Sequence, residues 1–194
     1  AEKGKKYDEA LELYEKSAKI AQNPKDLLSS YEGQVRVLRQ QKKNADAEKL
    51  LLAALEREDF TATQYRRILN QLASLLFWTP RRDQALNYLN QARFFHSSFE
   101  NDRYATYSLS AYIYQDRKEY EAVIEIMKPW AENIHAHPAN QYAAAIMVAD
   151  AWLKLEYNEN AKKYYKKALT AGKKVTYKFD YSKAEKKLEE LGNR

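Results

Sequence analysis

The chain has 194 residues, no cysteine and a formal net charge of +6, so disulfides, thiolate zinc sites and cysteine nucleophiles are excluded together. Four glycines and four prolines leave little punctuation for sheets or long loops, and with Ala, Leu, Glu, Lys and Gln abundant the predicted fold is all-α. No apolar run approaches the roughly 20 residues that cross a bilayer, and Ala1-Glu2-Lys3-Gly4-Lys5-Lys6 lacks the apolar segment of a signal peptide. The chain as given reads as soluble, with no membrane span, and its compartment stays open: cytoplasmic, or periplasmic or secreted after signal removal.

The first predicted helix covers residues 7–22, with Tyr7, Ala10, Leu11, Tyr14 and Ser17. Beyond it the sequence repeats with a period of 38: Ala47, Ala85, Val123 and Ala161 follow one another at that step, and Ala10 precedes Ala47 by 37. The same step joins Val35, Ala73, Ala111 and Ala149, and also Leu38, Leu76, Tyr114 and Trp152. A unit of this length buries its apolar face only against its neighbours, which predicts a stacked solenoid. Each copy reads as two helices. In residues 66–79 the apolar row is Leu69, Leu72, Ala73 and Leu76, and in residues 83–95 it is Ala85, Leu89 and Ala92, both at the three- and four-residue steps of an amphipathic helix. Between them Thr79 is predicted to cap the second helix with Pro80 at its first position. Turns are predicted at Lys42–Asn44, Asp116–Glu119 and Glu156–Asn160. Pro129, inside a second-helix row, removes one backbone hydrogen bond and predicts a kink or a restart.

After residue 171 the period stops. Val175, Tyr177, Phe179 and Tyr181 alternate with polar residues, which predicts an extended segment. Ser182-Lys183-Ala184-Glu185 reads as a capping box opening a short helix with Ala184, Leu188 and Leu191 on one face and Gly192 as its stop. That helix would cap the array. The first helix has no such cover, so Tyr7, Leu11 and Tyr14 are expected to be partly bare, inviting self-association or an upstream domain. The positive charge is uneven: residues 1–153 balance at 21 basic against 21 acidic, and residues 154–194 hold 12 against 6.

The rows Tyr31-Gln34-Val35-Leu38, Leu69-Leu72-Ala73-Leu76, Tyr107-Ser110-Ala111-Tyr114 and Ala145-Val148-Ala149-Trp152 are each followed by a second-helix row, such as Ala47-Leu51-Ala54. Together they resemble the tetratricopeptide repeat (TPR). The resemblance covers residues 1–171, as a half repeat at 1–25 and four repeats of about 38 residues, with residues 172–194 as extended segment and cap. It implies a right-handed α-solenoid of antiparallel helix pairs, a TPR-like superhelix. The family's repeat is usually 34 residues, and the extra four lie between Ala54 and Leu69, which predicts longer helices or looser joints. The resemblance further implies a concave groove lined by Ser29, Glu32, Arg36, Arg39, Arg67, Asn70, Ser74, Phe77, Ala105, Ser108, Tyr112, Gln115, Ala143, Ile146, Asp150 and Leu153. Its arginines suit carboxylates or phosphates, and its aromatic and aliphatic residues suit apolar side chains. The chaperone-binding members hold a carboxylate with Lys, Asn and Arg at five set places; Glu32, Arg36, Ala105 and Leu109 stand at four of them, so that function is disfavoured.

No glycine-rich phosphate loop, nucleophile elbow or metalloprotease helix occurs. His135 and His137 share a connection without a third ligand at metal spacing, and His96 is expected to be a hydrogen-bonded structural histidine. The reading is therefore a non-enzymatic scaffold without cofactor or metal, binding a protein or peptide segment. An anionic polymer, nucleic acid or acidic polysaccharide, is the alternative, with nucleic acid disfavoured, and purely architectural self-assembly is a third.

Overall fold

The computed structural model describes residues 2–192; the ends of the first and last predicted segments, Ala1 and residues 193–194, lie outside them. Every regular element among the described residues is helical. The chain divides into two compact units, residues 1–98 and residues 99–194.

The first unit holds α1 (Glu2–Ile20), α2 (Pro24–Gln40), α3 (Asn44–Leu55), α4 (Ala62–Leu76) and α5 (Arg82–Phe94), and helices consecutive in sequence pack on one another. Leu28, Val35, Leu38, Ala47, Leu51, Ala54, Ile68 and Leu72 form its core. α1 is seated closely on α2 because Gly33 has no side chain: a Cβ there would lie 2.3 Å from the Tyr14 ring. Ser30 Oγ donates to Ser17 Oγ at 2.8 Å across the same contact.

The second unit holds α6 (Glu100–Asp116), α7 (Tyr120–Glu132), α8 (Pro138–Lys154), α9 (Asn158–Gly172) and α10 (Ser182–Gly192). Its core gathers Ala111, Val123, Met127, Ala145, Val148, Ala149, Ala161, Tyr165 and Ala168. The repeated small residues predicted from the period are fully buried: Ala47, Ala85, Ala111, Ala149 and Ala161 have no exposed surface, which is where helices approach most closely. Of the tyrosines assigned to packing rows, Tyr165 is fully buried, and Tyr14, Tyr31, Tyr107 and Tyr114 are half-buried.

Three of the four turns inside repeats share one construction. Lys42, Lys118 and Glu156 have φ of 61°, 62° and 66°. The following amide reaches back five residues, as Lys43 N–H to Leu38 C=O at 2.9 Å, Glu119 to Tyr114 at 2.9 Å and Tyr157 to Trp152 at 3.0 Å. This is the Schellman closure, normally made with glycine. The fourth turn differs because the equivalent position is Pro80, whose ring holds φ near −65°. The chain there needs residues 77–81 to reach the next helix. Thr79 is consequently not the helix cap: α5 starts at Arg82 with Arg81 preceding it. Thr79 Oγ1 instead donates to Leu76 C=O at 2.8 Å and accepts from Arg81 N–H at 3.1 Å.

The cap-then-proline device operates elsewhere. Asn23 accepts Asp26 N–H at 2.9 Å ahead of Pro24, and His137 Nδ1 accepts Ala139 N–H at 3.2 Å ahead of Pro138. Two further expectations are corrected. α7 runs through Pro129 and three residues beyond it without a restart, since the helix loses one hydrogen bond so near its end. Residues 173–181 are a strap of turns and bends rather than an extended strand. Phe179 packs edge-on against Tyr142 with centroids 5.0 Å apart, while Tyr177 stays exposed, stacked on His137 at 6.4 Å. Asp180 Oδ1 accepts Ser182 N–H at 2.9 Å, so Asp180 holds the start of α10, where a Ser182 capping box was expected.

Connections between repeats take residues 56–61, 95–99 and 133–137, and the first helices reach 15–17 residues, against 12–15 for the second.

Candidate ligand-binding cleft

α2 buries Leu28, Val35 and Leu38 on one side, which leaves Arg36 and Arg39, one turn apart, exposed on another. With Glu32, Val35 and Gln40 of α2 and Gln71 of α4 they line a cleft of about 570 Å³. Its acid is already engaged. Arg67 Nη2 lies 2.6 Å from Glu32 Oε2, and Gln71 Nε2 donates to Glu32 Oε1 at 3.0 Å, so two α4 side chains pin Glu32 and Arg67 has its counter-charge. Arg36 and Arg39 form no ion pair among the described residues. The cleft therefore presents two uncompensated guanidinium groups beside the amides of Gln40 and Gln71. That donor set matches planar oxyanions, carboxylate above all.

The other predicted groove residues separate by burial. Asn70 is 8% exposed and Ile146 is 7% exposed and part of the second unit's core; both point inward, so they are not a solvent-facing row. Their helices are buried on more than one side, which a single repeat position does not reveal. Phe77 is half-buried, edge-on to Trp78 at 4.6 Å. Leu153 packs half-buried against the second core. Tyr112, 49% exposed, and Gln115 do face solvent on α6.

Asp150 has a structural post. Tyr165 Oη donates to its Oδ1 at 2.5 Å and Lys183 Nζ lies 2.7 Å from its Oδ2, joining α8, α9 and α10 through one carboxylate. Burial, together with the Asp150 hydrogen bond, pushes the Tyr165 phenol well above its ordinary range. In the same unit Tyr164 Oη donates to Glu132 at 2.8 Å. That bond, with Lys167 nearby, holds the Glu132 carboxyl below the usual carboxylate range.

Sequence reasoning missed Gln40 and Gln71. Each sits four residues after a cleft-side arginine, Arg36 and Arg67, and this i, i+4 spacing was the available signal. It also missed Arg66, which is buried and donates from Nε to Phe95 C=O at 2.6 Å and from Nη2 to Arg93 C=O at 3.2 Å. A guanidinium at the C-terminal end of α5 satisfies carbonyls that the helix leaves free. His96 is exposed, and its backbone carbonyl accepts from Thr63 Oγ1 at 3.5 Å; among the described residues its imidazole makes no hydrogen bond, where a hydrogen-bonded structural histidine was expected. Among the described residues no three His, Cys, Asp or Glu side chains gather as a metal would need, and no helix is long and apolar enough to cross a membrane.

No protein-family model matches the chain, and no curated protein matches it. Among solved structures, the crystal structure of BtubC (BKLC) from P. vanneervenii is similar, with a TM-score of 0.74 and 14% sequence identity. The similarity covers 96% of this chain and 83% of BtubC. At that identity the likeness concerns the fold: an all-α, repeat-like succession of packed helices.

Proposed function

We propose that the chain is a TPR-like right-handed solenoid of antiparallel helix pairs and serves as a non-enzymatic scaffold that binds an acidic protein or peptide segment. The observation that carries the reading is the pair Arg36 and Arg39, exposed at one cleft and without a partner among the described residues, while neighbouring Arg67 is neutralised by Glu32. Two guanidinium groups kept free at a concave surface cost self-repulsion that a bound carboxylate relieves. The TPR register is supported by the 38-residue spacing of the buried small residues and by the matching turns at Lys118 and Glu156. Gln40 and Gln71 supply hydrogen bonds to a ligand main chain.

An anionic polymer is less well supported by the basic C-terminal fifth. Lys162, Lys167, Lys183 and Lys187 there pair with Glu159, Glu132, Asp150 and Glu190, so four of its twelve basic residues are answered within the protein. The test is a screen of acidic and neutral peptides against the wild type and an Arg36→Glu, Arg39→Glu variant. Acidic peptides should bind the wild type, and the variant should lose them with unchanged helicity. Equal binding by both proteins would remove the cleft from consideration. A steep loss of affinity with salt, seen for polyanions and not for peptides, would favour the polymer instead.

A further inference from the structure

Another cavity, sharing no lining residue with the arginine cleft, lies among α1, α2 and α3. It measures about 420 Å³ and has Leu11, Leu38, Leu50 and Ala53 as its apolar walls. Glu15, Lys43, Asp46 and Lys49 also line it; all four are exposed, and none forms an ion pair among the described residues. Gln34 completes the lining although it is only 7% exposed. Its Nε2 lies 3.5 Å from Tyr14 C=O, at the outer limit of a hydrogen bond. Its Oε1 accepts no hydrogen bond among the described residues, so one end of a buried amide is open to the cavity.

The next repeat shows how the same place is closed by the chain itself. There the equivalents of Leu11, Gln34, Lys43, Asp46 and Leu50 are Glu48, Leu72, Arg81, Gln84 and Tyr88. Arg81 grips Glu48 through two bonds of 2.7 and 2.8 Å and donates to Gln84 Oε1 at 2.6 Å, and Gln84 Nε2 donates to Tyr88 Oη at 3.2 Å. This chain of hydrogen bonds joins α3 to α5, and Leu72 is fully buried. In the first repeat no member can continue such a chain: Leu11 and Leu50 carry no hydrogen-bonding group, and Lys43 pairs with no carboxylate. Gln34 meanwhile puts an amide where the second repeat is apolar. A buried amide left unsatisfied lowers stability, and a bound molecule that supplies its partner recovers the loss.

We propose that this cavity binds a free α-amino acid whose aromatic ring carries a hydrogen-bond donor, tryptophan or tyrosine. The ring lies on Leu11, Leu38 and Leu50, and its N–H or O–H donates to Gln34 Oε1. Lys43 and Lys49 meet the carboxylate, and Glu15 and Asp46 meet the ammonium. Unpaired charges of both signs at one rim complement a zwitterion, whereas an uncharged peptide segment leaves them unanswered. Apolar walls with a few convergent polar groups, at this volume, suit a small molecule. The site is independent of the arginine cleft.

Calorimetric titration of the full chain with L-tryptophan tests the assignment. Saturable binding is expected, and L-phenylalanine, which has no ring donor, should bind about tenfold more weakly. N-acetyl-L-tryptophan amide, which lacks both charges, should lose at least as much. Gln34→Leu, which installs the residue of the second repeat, should erase the preference for tryptophan over phenylalanine. A Lys43→Gln, Asp46→Asn variant alters exposed side chains alone; it should weaken tryptophan binding with helicity by circular dichroism unchanged, which keeps the test decisive where the Gln34 variant folds poorly. Absence of saturable tryptophan binding, equal affinity for phenylalanine, a preference that survives Gln34→Leu, or undiminished binding by the rim variant would overturn the proposal. Equal binding of the capped amide would overturn it in favour of a peptide side chain as the occupant.

Discussion

At Lys42, Lys118 and Glu156 a side chain occupies a backbone region that glycine enters freely, with φ between 61° and 66°. The strain is set by the need to close each helix and reverse the chain within three residues. Replacing Lys118 by Gly should relieve it, raising stability by about 0.5–1 kcal/mol after the entropy lost to a more flexible unfolded chain. Thermal or urea unfolding reads the change, and a lower midpoint would contradict the turn assignment. Asp150 carries an opposite kind of constraint. Asp150→Ala strands the buried Tyr165 hydroxyl and should cost about 1–3 kcal/mol. Tyr165→Phe, which removes the donor as well, should cost less because Asp150 keeps Lys183 at a partly exposed position. An equal loss in both variants would mean that the hydrogen bond is not what holds this corner.

Among the elements, helices were readable wherever a row of apolar residues held its three- and four-residue step, and least readable where one dipeptide serves two purposes. Thr79-Pro80 has the composition of a helix start, as Asn23-Pro24 does, yet only the latter caps a helix. The difference is the repeat position: Pro80 stands where the other copies turn left-handed, and proline is barred from that conformation. The strap after α9 misled for a related reason. Its apolar residues alternate, but Phe179 and Tyr181 pack inward while Tyr177 stacks outside on His137, so the alternation records contacts along an irregular path. The strap crosses α9 at Gly172, where a Cβ would come within 2.8 Å of Tyr181. Together with α10 it covers the core through Phe179, Ala184 and Leu191. Deleting residues 175–194 should therefore uncover apolar surface around Tyr142, Tyr165 and Leu169 and produce aggregation or new association, visible by light scattering. A truncated chain that stays monomeric with an unchanged melting midpoint would show that the segment is dispensable to the fold.

For the molecule as a whole, a period of 38 residues made the all-α succession of packed helices legible, because burying a small residue at a fixed step demands a packed neighbour each time. The candidate cleft was legible only in part. Arg36 and Arg39 are exposed and line one cleft, whereas Arg67, Asn70, Ile146 and Asp150 are drawn inward or into ion pairs by partners on neighbouring helices that one repeat position cannot disclose. The claim that two free arginines receive an acidic ligand is tested most directly by nuclear magnetic resonance of the protein labelled at arginine nitrogen, titrated with the tightest acidic peptide from the screen. The Nε–H signals of Arg36 and Arg39 should move together and saturate at the binding constant, while that of buried Arg66 stays in place. A peptide that binds while both cleft arginines remain unmoved would contradict the account.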